Sequence, residues 1–466
     1  MRYPIGVLQS ATATASNLDA LDAADRRHAW HPFTQQREYF DSPRLHLVRG
    51  QGCWLWDAEG NKYLDGNASV WTNVHGHNDP DLNAALRNQL DQVAHISLLG
   101  LNHPKATELA EQLAGLTHGV LSRCFFSDNG SNAIEIALKL SFQYWQLIGK
   151  PAKVGVVGFA GGYHGDTFGT MAVGERGAFH ARFDKWLFPV HRLPAPLHVA
   201  CAGKVTASDA TASIQALRQL LERESEQLAC LVLEPCVQGA AGMVQQPPGF
   251  VAAVADLCRE HGVHLILDEV FTGFGRLGAL TAAETEAVVP DFLCLAKGLA
   301  AGYLPLAATL TTEAIHQTFL GRHSEGRTFF HGHTFSGNPL GCAVALESLR
   351  KLRHLLDSGQ PAASAEVLGQ GLLKEFAHLP YVRQVRQLGL AAAIDFGAPT
   401  GQPEWPTDAR LGFRICLAAR KHGLVIRPLR DSILIVPPIM ITPAEITHIL
   451  MALKAAAGEV VGEIKN

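Results

Sequence analysis

Short runs of uninterrupted apolar residues, separated by longer helical patterns, constrain this chain of 466 residues more than any other feature. They read RCFFSD (123–128), KVGVVGF (153–159), LACLVLEP (228–235), VHLILDEV (263–270), DFLCLAK (291–297) and LPLAATLT (304–311). A strand with one wet face alternates apolar and polar residues, whereas a strand that is apolar throughout needs cover on both faces. The stretches between them, such as GSNAIEIALKLSFQYW at 130–145, supply that cover and the crossovers that parallel pairing requires. The pattern predicts an α/β fold, with a large domain over about 66–345 built on a mostly parallel sheet sandwiched by helices.

Outside that block the text changes. The first ~25 residues are small and polar without an apolar period, and read as a loose arm; from Trp30 to Asp65 short strands are expected. LHLVRGQGCWLWDAEGNKYLDG reads as a hairpin with a turn at Glu59-Gly60-Asn61. Residues 1–65 are expected to form the arm and part of a small domain, and 346–466, a long helical stretch followed by strands and a helix, to complete a smaller α+β domain from both chain ends. No fixed-period repeat suggests a solenoid.

Charge and cysteine use narrow the function classes. The net charge of −4 arises without a basic run, which argues against nucleic acid or an anionic membrane as partner. No apolar run approaches the ~20 residues of a membrane span, and the N-terminus lacks a signal-peptide core. Nine scattered cysteines, with no Cys-x-x-Cys pair, fit reduced thiols; a cytoplasmic protein is expected.

Several residues could carry chemistry. Gly130 and Ser131 stand where a strand gives way to an amphipathic helix, and free N–H groups at a helix start suit a phosphate; Ser131 could equally be the helix N-cap. Asp268 ends an apolar strand at the sheet edge where α/β proteins bind ligands. A carboxylate buried there needs a partner, and either a protonated heterocyclic nitrogen or a structural ion pair would serve. Lys297 follows an apolar run and precedes Gly298; desolvation would lower its pKa and free the neutral amine to form a Schiff base. Tyr163, beside His164 in GGYHGDTFG, could stack on a planar cofactor or merely line a turn. The Gly273–Gly278 stretch formally matches G-x-G-x-x-G, but no clear helix follows and the acidic residues come too early for a dinucleotide site. The pairs His75/His77 and His331/His333 lie in Gly/Asn turns without clustered carboxylates, so no metal is expected.

Taken together, a phosphate-binding helix start, a buried carboxylate and a pocket lysine are the parts that pyridoxal 5'-phosphate requires. The segments LILDEVFTGFGRLG, PDFLCLAKGLAAGYLPLAATL and HGHTFSGNPLGCAVALESL resemble the class III, fold-type I aminotransferases, and the resemblance runs from Trp30 to about Pro438. WHPFTQQ, SVWTNVHGHN, YHGDTFGTMAV, EPCVQGAAGM and VIRPL are similar to the branch that aminates 8-amino-7-oxononanoate to 7,8-diaminononanoate in biotin synthesis.

The resemblance implies a role for each matching residue. Lys297 would bind the cofactor covalently and shuttle a proton, Asp268 would keep the pyridine nitrogen protonated, and Tyr163 would stack on the ring. Gly130 and Ser131 would bind the phosphate, with Thr334 reaching in from the second subunit of a homodimer. Arg427 would pair with the substrate's distal carboxylate, and Phe33, Trp71 and Tyr163 would line the aliphatic channel. Arg276 and Asp166 match positions near the substrate.

Two departures carry information. Gly239, Ala240 and Ala241 stand where glutamate-using relatives carry a gating glutamate, which argues against an ornithine or γ-aminobutyrate enzyme. Phe33 stands where users of S-adenosylmethionine have tyrosine, which leans toward lysine as amino donor. The rival expectations are a broad ω-amine:pyruvate aminotransferase, a metal hydrolase on the HGH pairs, and a dinucleotide-binding module on the 273–278 glycines.

Overall fold

A computed structural model describes residues 15–177 and 179–465. Helix α1 (Ala15–His28) replaces the expected loose arm over its span, and residues 1–14 lie outside the described residues. Its last turn carries Arg26, Arg27 and His28, which complement the negative end of the helix dipole. The Asp22 carboxylate anchors it by accepting from Arg44 and His46, both at 2.7 Å.

A second helix, α2 (Gln36–Asp41), interrupts the region expected to be all strands; the Gln35 side chain caps it by accepting from Arg37 N. Then follows an antiparallel meander, β1 (Leu47–Gln51), β2 (Trp54–Asp57) and β3 (Lys62–Asp65). Its turn at 59–61 is closed by Asp57, whose Oδ1 accepts Glu59 N at 3.0 Å and Asn61 N at 2.8 Å.

The central sheet has seven strands: β4 (Arg123–Ser127), β5 (Gly155–Phe159), β6 (His191–Leu193), β7 (Leu228–Leu233), β8 (His264–Asp268), β9 (Phe292–Leu295) and β10 (Ala307–Thr311). They lie in the order β4-β10-β9-β8-β7-β5-β6. Pairing is parallel from β9 through β6 and antiparallel where β10 meets β9 and β4. The sheet is thus mostly parallel, and each run read from the sequence is one of its strands.

Successive side chains leave a strand on opposite faces. Val232, Ile266, Phe292 and Cys294 pack with Ile134, Ile136 and Ala137 of helix α3 (Gly130–Leu147). Their neighbours Leu231, Leu265, Leu267, Leu293 and Leu295 enter the larger core on the other face, with Val254 and Leu257 of α4 (Phe250–Glu260). Both faces are therefore dry, which is why these strands do not alternate.

After the long helix α5 (Pro339–Asp357), strands β11 (Val382–Leu388) and β12 (Ala391–Phe396) begin a second sheet, followed by α6 (Leu411–Lys421). The next strand, β13 (Leu424–Val425), leaves that sheet and pairs parallel with β3, Val425 opposite Asp65. β14 (Arg427–Leu429) and β15 (Ser432–Ile435) return to it in the order β11-β12-β15-β14, and α7 (Pro443–Lys465) closes the chain. Segments from both ends of the chain thus share one sheet. Among the described residues no helix is long and apolar enough to cross a membrane.

Candidate active site

The C-terminal edges of parallel strands and the N-terminus of α3 converge on one cavity of about 500 Å³. Asn129, rather than Ser131, is the N-cap of α3, its side chain accepting from Asn132 N at 3.1 Å. Gly130 and Ser131 therefore occupy the first turn, where backbone N–H groups have no intrahelical partner and favour an anion. Ser131 Oγ accepts from Asp166 N at 3.3 Å. A Cβ on Gly130 would meet Val270 at 2.6 Å, and one on Gly165, at φ +129°, would meet Ser131 Oγ at 2.0 Å. Neither glycine has room for a side chain.

Asp268 closes β8 and is almost wholly buried. Its Oδ1 accepts from Val270 N at 3.0 Å, and His164 Nδ1 lies 2.7 Å from Oδ2. Burial by itself would lower the His164 imidazole, but the hydrogen bond and charge of Asp268 outweigh it and hold its pKa above the ordinary value. The pair is thus biased toward a protonated histidine on a carboxylate, which satisfies the buried charge.

Lys297 lies two residues beyond β9, at φ +42°, and opens a single 3₁₀ turn. Burial lowers its pKa, while the charges of Asp268 and Glu234 oppose the shift. The Nζ stands 5.1 Å from the centroid of Trp71, whose ring meets Phe271 at 4.7 Å. Trp71 ends a run of four non-glycine residues in the left-handed region, Ala68 to Trp71, with φ between +45° and +71°. Asp65 braces that turn by accepting from Asn67 N at 3.0 Å, Ser69 N at 3.1 Å and His77 Nε2 at 2.9 Å. Such a conformation is costly, and it persists because the surrounding bonds over-determine it.

Tyr163 lines the same cavity; its hydroxyl donates to Asp166 Oδ2 at 2.9 Å, and burial, reinforced by Asp166, raises its pKa. Several lining residues carried no role in the sequence reading, and two of them interact electrostatically with Asp268. One is His164. The other is Glu234, which accepts from Tyr163 N and Gly239 N, both at 3.0 Å, and whose pKa burial lifts to about 7 with help from Asp268. Glu234 follows a strand of six buried residues, as Asp268 ends one, and that shared position was the available signal.

Other expected residues lie elsewhere. Phe33 and Arg427 line a separate cavity of about 820 Å³. Arg276 is buried behind the wall, donating to Pro437 O at 2.6 Å and Leu390 O at 3.1 Å, and burial lowers its pKa to about 9. Thr334 is exposed and does not line the Lys297 cavity within its own chain.

Each histidine of the two pairs has a partner of its own: His75 meets Ser348 O at 3.0 Å, His77 meets Asp65, His331 meets Lys139 at 2.9 Å, and His333 meets Asp128 at 2.9 Å. Residues 273–278 form a looped-back turn, Phe274 N donating to Leu280 O at 2.7 Å, and open no helix.

A family model described as "Aminotransferase class-III" matches residues 35–457. The chain belongs to the class III aminotransferases. The adenosylmethionine-8-amino-7-oxononanoate aminotransferase of Geobacter sulfurreducens is 44% identical over 443 residues, spanning 94% of this chain and 97% of that protein. The crystal structure of the Methanocaldococcus jannaschii enzyme of the same name matches with a TM-score of 0.88 at 36% identity, covering 95% and 99% of the two chains. An amine transaminase from an uncultivated Pseudomonas species, solved in its PLP-bound form, matches with a TM-score of 0.84 at 33% identity, covering 93% and 98%.

Membership of this family implies pyridoxal 5'-phosphate, and the donor set of this class III aminotransferase fits it. A lysine amine, the buried carboxylate of Asp268, an open helix N-terminus and the rings of Trp71, Tyr163, Phe271 and Tyr303 line one cavity.

Proposed function

We propose that this aminotransferase converts 8-amino-7-oxononanoate (7-keto-8-aminopelargonate) to 7,8-diaminononanoate in biotin synthesis. Its cofactor is pyridoxal 5'-phosphate, and its amino donor is lysine or S-adenosylmethionine. The observation that carries the reading is the meeting of Lys297, the Asp268–His164 pair and the open first turn of α3 in one cavity. It is supported by near full-length relatives named for that substrate.

When bound, the cofactor supplies a carbonyl that exchanges for an amine and a ring that draws electrons from the neighbouring carbon. Gly130 and Ser131 hold its phosphate, with Thr334 contributed by the second copy in a homodimer. Asp268, braced by His164, would keep the ring nitrogen protonated, and Tyr163 would face the ring. Lys297 Nζ would be the covalent attachment point, and its neutral amine would be the base that takes a proton from the donor's amine-bearing carbon and, once protonated, the acid that delivers one to the acceptor's carbonyl carbon. Arg427 holds the distal carboxylate, as a guanidinium fork suits. Phe33, Trp71 and Tyr163 line the aliphatic path, Asp166 orients Tyr163, and Arg276 supports the wall. The division into an arm and part of a small domain (1–65), a large domain (66–345) and a C-terminal small domain (346–466) is part of the same reading. A cytoplasmic site suits nine cysteines that are all free.

Lys297→Ala should abolish both the visible band of the holoenzyme and turnover; a variant keeping both overturns the assignment. Arg427→Ala should raise the Michaelis constant of the keto substrate far more than that of the donor, and equal effects count against its role. Mixing holoenzyme with lysine, and separately with S-adenosylmethionine, identifies the donor as the one that bleaches the visible band. A second reading, a broad ω-amine:pyruvate aminotransferase, is favoured by the likeness to the amine transaminase. Comparing turnover of 8-amino-7-oxononanoate with that of pyruvate separates the two.

A further inference from the structure

Arg430 occupies a backbone position that favours glycine. It turns the chain from β14 to β15 at φ +55°, in the left-handed region. A long charged side chain kept at such a position suggests a use for its head group.

Its surroundings supply one. Arg430 lines the cavity of about 820 Å³ that also holds Phe33 and Arg427. It also lines a smaller one of about 340 Å³, walled by Tyr163 and Ala240, which face the Lys297 cavity as well. The three cavities thus adjoin through shared lining residues, and Arg430, unlike Arg427, lines the one that borders the Lys297 cavity.

Arg427 and Arg430 are both exposed. Nearby, Arg410 pairs with Glu38, Arg44 with Asp22, and Arg420 donates to Pro43 O. Among the described residues the Arg427 and Arg430 guanidiniums make no ion pair or hydrogen bond. Of the carboxylates lining the two cavities that Arg430 borders, Glu38 is the one paired with Arg410, Asp431 Oδ1 accepts from Gly412 N at 3.1 Å, and Glu175 accepts from Gly161 N and Arg176 N, both at 2.9 Å.

We propose that Arg430 is a second anchor for the substrate carboxylate, lining the cavity that adjoins the Lys297 cavity, which Arg427 does not. It selects linear amino and oxo acids whose carboxylate lies several methylenes from the reacting carbon over neutral amines and ketones. This deepens, and rests on, the reading of the protein as an aminotransferase for a long-chain keto acid.

The test is calorimetric titration of octanoate and of octanamide into the holoenzyme. The parent should bind octanoate more tightly than octanamide. Arg430→Gly should weaken octanoate about tenfold or more, the usual effect of losing one charge-assisted hydrogen bond, while octanamide is unchanged. The backbone there suits glycine, so an undiminished thermal midpoint of Arg430→Gly certifies the fold. Equal octanoate affinity in parent and variant, a matched loss for both ligands, or a parent that prefers octanamide overturns the proposal. Titration needs no turnover, so failure of the parent to aminate 8-amino-7-oxononanoate would instead sink the assigned reaction and leave this result readable.

Discussion

Glu234 is a carboxyl group placed where it does not readily ionise. Burial, with the charge of Asp268 adding and His164 and two backbone N–H groups opposing, lifts it from 4.5 to about 7. The folded protein therefore keeps a proton that the unfolded chain gives up as pH rises past the lower value. Stability from this group is whole below about pH 4.5 and gone above about pH 7. Glu269, also raised to about 7 by burial against the opposing N–H donors of Ala282 and Ala283, acts in the same direction. Glu234→Gln, neutral at every pH, should flatten part of the decline in thermal midpoint between about pH 4.5 and pH 7. An unchanged slope would assign the titration to other groups. Both carboxyls lie beside Asp268 or face it, so the site limits how much negative charge it gathers around the lysine.

At the level of elements, α3 and the sheet strands follow from local pattern, whereas the turn carrying Trp71 does not. Four residues in left-handed conformation have no signature in Ala-Ser-Val-Trp; the bracing comes from Asp65 and His77. A second brace is Lys153, fully buried at the head of β5. Its Nζ donates to Ser225 O at 2.7 Å, Gly262 O at 2.9 Å and Leu228 O at 3.1 Å, tying together three chain segments that cap neighbouring strands. The ring of Trp145 lies 4.5 Å from the same ammonium. Lys153→Met keeps the apolar stem but leaves three carbonyls without their donor, and should destabilise the fold by about 3 kcal/mol. Urea denaturation measures that loss, and a change below about 0.5 kcal/mol would show that water replaces the amine.

For the whole molecule, the proposed homodimer has a visible candidate surface. Leu99 and Phe330 are 74% and 77% exposed, and Phe335 58%, around the loop that carries Thr334. Apolar groups gathered at one place mark an interaction surface more than singly scattered ones do. Sedimentation should give twice the chain mass of 50.2 kDa. Phe330→Asp, at a side chain with little to hold within its own chain, should shift the protein toward monomer and weaken cofactor binding together. Dissociation with cofactor affinity intact would remove Thr334 from the phosphate site. Much of this plan was legible in advance: six strands of the central sheet and the helix after Gly130. The helices α1 and α2 were not, because short polar helices held by single ion pairs and caps leave no apolar period. Strand β6, three residues long with charged side chains, escaped for the same reason.

The sequence by itself determined that a doubly covered sheet would form and that reactive groups would gather at its carboxyl edge, since hydrophobicity and helix periodicity are local properties written residue by residue. Only the tertiary structure decided which groups meet. His164 reaches Asp268 across 104 positions, Trp71 comes to lie over Lys297, and Arg430 rather than Arg427 borders the cavity next to the lysine. Those distances depend on how separate elements pack and on strained turns held by remote carboxylates, and no local pattern encodes them.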